Sequence, residues 1–127
     1  MKKNLIFFLG TKAQFIKTIP IINEVDNSSY EVFLYDTCQH KSITQKEIKK
    51  IMVDFKHIKT SKNQFPAKSI FELVLWFIKS FLLLFTKKLQ FKDSKNSICF
   101  IHGNTLSTVL GIVWARKNNL KTIHIEG

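Results

Sequence analysis

Asn4-Leu5-Ile6-Phe7-Phe8-Leu9-Gly10-Thr11-Lys12 opens the chain with an unbroken apolar run that ends at a glycine. A strand with one wet face alternates apolar and polar residues, whereas a strand covered on both faces reads as a continuous run. Asn4–Leu9 is of the second kind, so it predicts a strand in the middle of a parallel sheet. Lys2 and Lys3 before it imitate the start of a secretory leader. The apolar run is too short for one, and no small-residue cleavage site follows.

Reading outward, Ala13–Val25 carries Phe15, Ile16, Ile19, Ile22 and Val25 at helical spacing, with a kink expected at Pro20. Asp26–Ser29 is a loop and Tyr30–Tyr35 a second strand with Glu31 near its start. Ser42–Met52 reads as an amphipathic helix turning Ile43, Ile48, Ile51 and Met52 to the core. Val53–Thr60 fits a short edge strand, Ser61–Pro66 a loop, Lys68–Phe91 a greasy helix and Lys92–Ser97 a charged turn. Ser97–His102 is the next buried strand. Thr105–Asn118 is a helix with Leu106, Val109, Leu110 and Val113 on one face, and Thr122–Ile125 begins a last strand. Strands alternating with helices specify an α/β fold: a doubly wound, Rossmann-like parallel sheet with helices on both faces. Residues 1–127 form a single lobe, with no internal repeat and no linker.

The 127 residues are 45% hydrophobic, enough for a packed core, which excludes intrinsic disorder. Twenty Lys+Arg against nine Asp+Glu give a formal net charge of +11. The lysines are scattered, and Arg116 is the only arginine, whereas base-edge readout relies on arginine forks. Nucleic acid is therefore not the expected partner; an anionic substrate or lipid surface suits the charge better. Cys38 and Cys99 cannot make a disulfide framework, and the histidines and cysteines show no metal-ligand spacing. The expected location is the cytoplasm.

Ile70–Phe85 is the longest apolar stretch, interrupted by Glu72 and Lys79. It falls short of the roughly 20 apolar residues a span requires. Glu72 and Lys79 lie seven apart on one helical face, with Lys68, Ser69 and Ser80 close to the same side. The plainer reading buries this helix between the sheet and another surface. The sharper one lays it on a membrane or a partner, with Lys87, Lys88 and Lys92 near lipid headgroups.

Sheets of this class bind ligands outside the carboxyl ends of their strands, where the strand order reverses. Three loops then matter: Gly10–Gln14, Thr37–Lys41 and His102–Thr105, joined by the terminal Glu126-Gly127. Gly10-Thr11-Lys12 offers amides at a helix start, an anion site or simply a tight turn, and it matches neither phosphate-loop nor dinucleotide fingerprint. Thr105 suits a helix N-cap. Glu126 is either a solvated end or a carboxylate for acid/base work or sugar-hydroxyl binding.

Taken in order, these stretches resemble the UDP-N-acetylglucosamine 2-epimerase family. Gly10-Thr-Lys-Ala-Gln-Phe-Ile-Lys17-Thr-Ile-Pro20 is similar to its opening G-T-[RK]-P-E-x-I-K-x-x-P, and Thr37-Cys-Gln-His40 to its T-x-Q-H turn. Ile101-His-Gly-Asn-Thr-Leu-Ser-Thr108 resembles V-H-G-D-T-x-x-T, and His124-Ile-Glu-Gly127 the start of H-[VI]-E-[AS]-G-L-R. The resemblance implies the N-terminal lobe of a GT-B-type fold whose active site lies between two lobes. It also implies cofactor-free interconversion of UDP-N-acetylglucosamine and UDP-N-acetylmannosamine through elimination of UDP.

Carried over by position, the resemblance assigns substrate contacts to Gly10, Thr11, Lys12, Lys17, His40 and Thr105, and catalysis to Asn104 and Glu126. Several positions depart from it. Lys12 keeps the charge of the usual arginine without its fork, Gln14 replaces a glutamate, and Asn104 replaces a catalytic aspartate. The further acidic and arginine positions and the second lobe have no counterpart after Gly127. The expectation is a fragment or split subunit that is inactive alone and meets a UDP-sugar only when a second lobe is supplied by a partner polypeptide. The competing expectations are the membrane-associated acceptor half of a split GT-B glycosyltransferase and a non-catalytic interaction module. An unpaired lobe is also expected to self-associate.

Overall fold

The computed structural model describes residues 1–38, 41–60, 68–86 and 93–125, with side chains described in all of these but 41–44. Nine elements alternate along it: β1 (Lys3–Leu9), α1 (Lys12–Asn23), β2 (Tyr30–Asp36), α2 (Lys41–Ile48), β3 (Phe55–Lys59), α3 (Ile70–Thr86), β4 (Ser97–His102), α4 (Leu106–Lys117) and β5 (Lys121–Ile125). The five strands form one sheet in the order β3-β2-β1-β4-β5, with every neighbouring pair parallel. β1 lies at the centre, as its unbroken apolar run requires, pairing Leu5 with Val32 on one side and Ile98 on the other.

Period-two alternation divides the central strands between two cores. Ile6, Phe8, Phe33, Tyr35, Cys99 and Ile101 pack with Trp76 and Leu84 of α3 and Leu110, Trp114 and Ala115 of α4. Leu5, Phe7, Leu9, Val32 and Leu34 pack with Phe15, Ile19 and Ile22 of α1. In the first core the Tyr35 and Trp114 rings lie 4.6 Å apart with Phe8 5.7 Å from Trp114; in the second Phe7 stacks on Phe100 at 4.8 Å. Burial pushes the Cys99 thiol up to about 12, so it behaves as an apolar filler.

The element order matches the expectation, but several side chains face the other way. Leu110 is buried and Leu106 packs on the core as expected, but Val109 and Val113 are exposed, and α4 turns Ser107, Thr108, Gly111, Trp114 and Ala115 inward in their place. The reason is close approach: a Cβ on Gly111 would stand 2.8 Å from Cδ1 of Phe8, so the small residues must face the sheet. Ile16 and Met52 are likewise exposed, while Ile48 and Ile51 pack as expected; the Ile43 side chain lies outside the described set. α1 continues through Pro20 to Asn23.

The greasy helix begins at Ile70 rather than Lys68, residues 87–91 of the expected span lie outside the described residues, and the helix is not buried all round. Trp76, Ser80 and Leu84 form its buried line, so Ser80 lies on the core side and not beside Glu72 and Lys79. Among the described residues, no helix is long and apolar enough to cross a membrane.

Gly111→Val places methyl groups against the Phe8 ring and should cost about 1–3 kcal/mol, read as a lower urea midpoint. An unchanged midpoint would mean that α4 does not press on β1 in this way.

Candidate functional site

The strand order reverses between β1 and β4, so the loops after these two strands border one crevice at the carboxyl edge of the sheet. Each loop starts a helix with a capping box. Thr11 caps α1, exchanging bonds with Gln14, and Thr105 caps α4, exchanging bonds with Thr108. Each cap engages the N-cap and N3 amides, and the positive ends of two helix dipoles face the same edge.

Gln14 ties the two helix starts together. Its Oε1 accepts from the Gly10 amide at 2.9 Å and the Thr11 amide at 3.1 Å. Its Nε2 donates to the His102 carbonyl at 2.6 Å and to the hydroxyls of Thr105 and Thr108 at 3.0 and 3.2 Å. The Thr108 hydroxyl in turn donates to the same His102 carbonyl at 2.7 Å. A carboxamide suits this role because it carries a two-lone-pair acceptor and a two-proton donor side by side. The side chain is 2% exposed, so losing either half would strand buried polar groups.

Gly10 is held equally closely. A Cβ there would lie 1.9 Å from Thr37 Oγ1 and 2.2 Å from Ser107 Oγ, and those hydroxyls bond each other at 2.8 Å. The start of α4 is thereby joined to the end of β2. Trp76 of α3 donates its indole N–H to the Thr37 carbonyl at 3.1 Å, so helices from both faces of the sheet converge on this edge.

The charge around the crevice is mostly positive. Lys12 and Lys17 are exposed on α1, and His124 bonds the Gly103 carbonyl at 2.6 Å. Gly103 itself sits at φ +70, a conformation that favours glycine. His102 is 4% exposed, and neither ring nitrogen has a hydrogen-bond partner among the described residues. Burial, reinforced by the charges of Lys17 and His124, holds its pKa below the usual histidine value. At the end of β2, the buried Asp36 accepts from the Cys38 amide at 2.8 Å and meets His57 Nε2 at 3.2 Å.

Gly10, Thr11, Lys12 and Thr105 fall on the β1 and β4 loops or the first turn beyond them and Lys17 on the second turn of α1, with Gly10 and Thr11 buried. Asn104 is exposed in the turn before α4. His40 and Glu126 lie outside the described residues, as do Gln39 and Gly127. A depression of about 600 Å³ lined by Lys2, Asn4, Asn27, Glu31, Lys56 and Asp93 lies near the opposite, amino edge, away from these groups. The sequence reading did not anticipate the Trp76–Thr37 bond, the Thr37–Ser107 pair or the Asp36–His57 contact. Each joins residues from different elements, and the strand order that brings them together has no local signature.

A crystal structure of a UDP-N-acetylglucosamine 2-epimerase superposes on the chain with a TM-score of 0.70 and 22% identity, over 98% of this chain. A second, a putative UDP-N-acetylglucosamine 2-epimerase from Listeria monocytogenes, gives a TM-score of 0.62 and 14% identity, again over 98%. What is shared is the fold. The chain spans 33% and 31% of the length of these two structures. No family model matches the sequence, and no curated protein matches it.

The depressed His102 pKa fixes the sign of a pH effect. As pH falls through the ordinary value of 6.5, the unfolded chain takes up the proton before the folded one does. Stability attributable to this group is therefore full above that pH and is lost below it, by at most about 1.4 kcal/mol per pH unit. Urea unfolding compared at about pH 7.5 and about pH 5.5 should show a larger acid loss for the native chain than for His102→Phe. Equal losses would place the ring in a solvated setting.

Proposed function

We propose that this chain is the nucleotide-sugar-facing lobe of a UDP-N-acetylglucosamine 2-epimerase-like enzyme, with a second lobe needed for turnover. One observation carries the reading: Gln14 clasps two helix N-termini at the switch point, and Lys12 and Lys17 are exposed on the first two turns of α1. The edge can hold an anion. Its cations and helix dipoles suit a diphosphate, and it lies where sheets of this class bind nucleotides.

In the proposed chemistry, a base removes the C2 proton as the C1–O bond to UDP breaks, leaving a glycal and UDP. UDP then re-adds at C1 with its original configuration while a proton is delivered to the opposite face of C2, which inverts that centre. Lys12 and Lys17 stabilise the negative charge that develops on the departing diphosphate. Thr11 and Thr105 hold the helix starts, and Gly10 lets the backbone come close. Asn104 can hydrogen-bond a sugar hydroxyl, but an amide cannot accept the C2 proton. That transfer falls to Glu126, or to a carboxylate of the second lobe, and His40 is assigned to substrate contact.

The support for an incomplete site is twofold. The chain spans about a third of the length of the solved structures it resembles. Ligand clefts in folds of this kind also bury most of a ligand between opposing walls. A UDP-sugar meeting one wall keeps only part of that burial.

Titrating UDP-N-acetylglucosamine into the labelled chain should shift the amides of Gly10, Lys12, Lys17 and Thr105 without release of UDP. Lys12→Ala should weaken the interaction about tenfold. Steady UDP release by the chain alone would refute the requirement for a second lobe. Shifts confined to the amino edge would refute the site itself.

A further inference from the structure

We propose that α3 is a membrane-docking element: it lies in the plane of an anionic lipid bilayer with its outward apolar face in the headgroup–acyl boundary. The proposal is independent of any nucleotide-sugar binding. It rests on how α3 divides its side chains. Trp76, Ser80 and Leu84 turn toward the sheet at four-residue spacing. Facing away are Ile70 at 82% exposure, Phe71 at 72%, Val74 at 48%, Leu75 at 38%, Ile78 at 48% and Leu82 at 57%.

Single exposed apolar residues are ordinary, but six along one helix make a continuous patch that water disfavours. Seventeen residues at 1.5 Å each give a helix about 26 Å long, below the thickness of a bilayer core. The patch therefore suits a helix lying on the bilayer rather than crossing it.

Charge selects the occupant. Lys68 and Lys79 are exposed on or beside α3, and Lys87 and Lys88 follow its last residue in sequence. Lys117 reaches from α4 to sit 4.4 Å above the Phe85 ring and donates to the Phe85 carbonyl at 3.0 Å. The acidic residue of the helix, Glu72, accepts from the Lys68 amide and so helps close the helix's own start. A second copy would bring positive charge against positive charge, each chain carrying +11. An anionic surface supplies the opposite sign, and each lysine close to it strengthens binding about fivefold.

The test is flotation of the full chain with phosphatidylcholine vesicles, with and without about 30% phosphatidylglycerol. The chain should float with the anionic vesicles, and this binding should weaken as salt rises. Phe71→Gln combined with Ile78→Gln should lower the partition coefficient more than tenfold while leaving the circular dichroism unchanged, because both side chains are exposed. Absence of flotation, or flotation indifferent to the paired substitution, would overturn the proposal. So would a concentration-dependent dimer in sedimentation that the same pair dissolves, since that result would assign the face to a second copy.

Discussion

The Gln14 side chain is the constraint on which the carboxyl edge of this sheet depends. A parallel sheet that reverses its strand order leaves two helix N-termini side by side, each with amides its own helix cannot satisfy. Gln14 meets part of that demand from one side and bonds the neighbouring loop's carbonyl and hydroxyls from the other. Because the amide is fully enclosed, each of its bonds is made at low dielectric, where an unmade bond is most costly. Beyond the β1–β4 pairing, the two loops are thus bonded directly to each other through one side chain.

The rest of the architecture serves that edge. Gly10 has no room for a Cβ because Thr37 and Ser107 close over it, and Trp76 of α3 fixes the Thr37 carbonyl from the same face of the sheet as α4. The two cores below hold β1 in the centre with aromatic packing on both faces. A rigid scaffold beneath exposed cations is what preorganised anion binding requires, since the dipoles need not rearrange when charge arrives. The proposed nucleotide-sugar site and the proposed membrane-docking face are different surfaces: the strand ends for one and the outer face of α3 for the other.

Much of this was legible in the sequence. The run Asn4–Leu9 declared a doubly covered strand, and Ser97–His102 and Tyr30–Tyr35 repeated the signal, so alternation alone set the fold class. The motifs around Gly10 and Thr105 marked the loops that the structure brings together. Helix faces were harder. Val109 and Val113 fit an apolar stripe as well as Leu110 and Trp114 do, and only the contact of Gly111 with Phe8 decides which stripe turns inward. Ser80 looked like part of a polar face because periodicity cannot tell how deeply a helix sits. The Asp36–His57 and Thr37–Ser107 contacts depend on strand order and left no trace in local spacing.

The most direct measurement is native-state hydrogen exchange of the Gly10 and Thr11 amides. Both lie in a loop, yet both donate to the buried Gln14 carbonyl oxygen. They should exchange about as slowly as the central β1 amides and speed up at least about tenfold in Gln14→Ala relative to those amides. Loop-like exchange of the two in the native chain, or protection that survives Gln14→Ala, would contradict the claim that this side chain holds the site together.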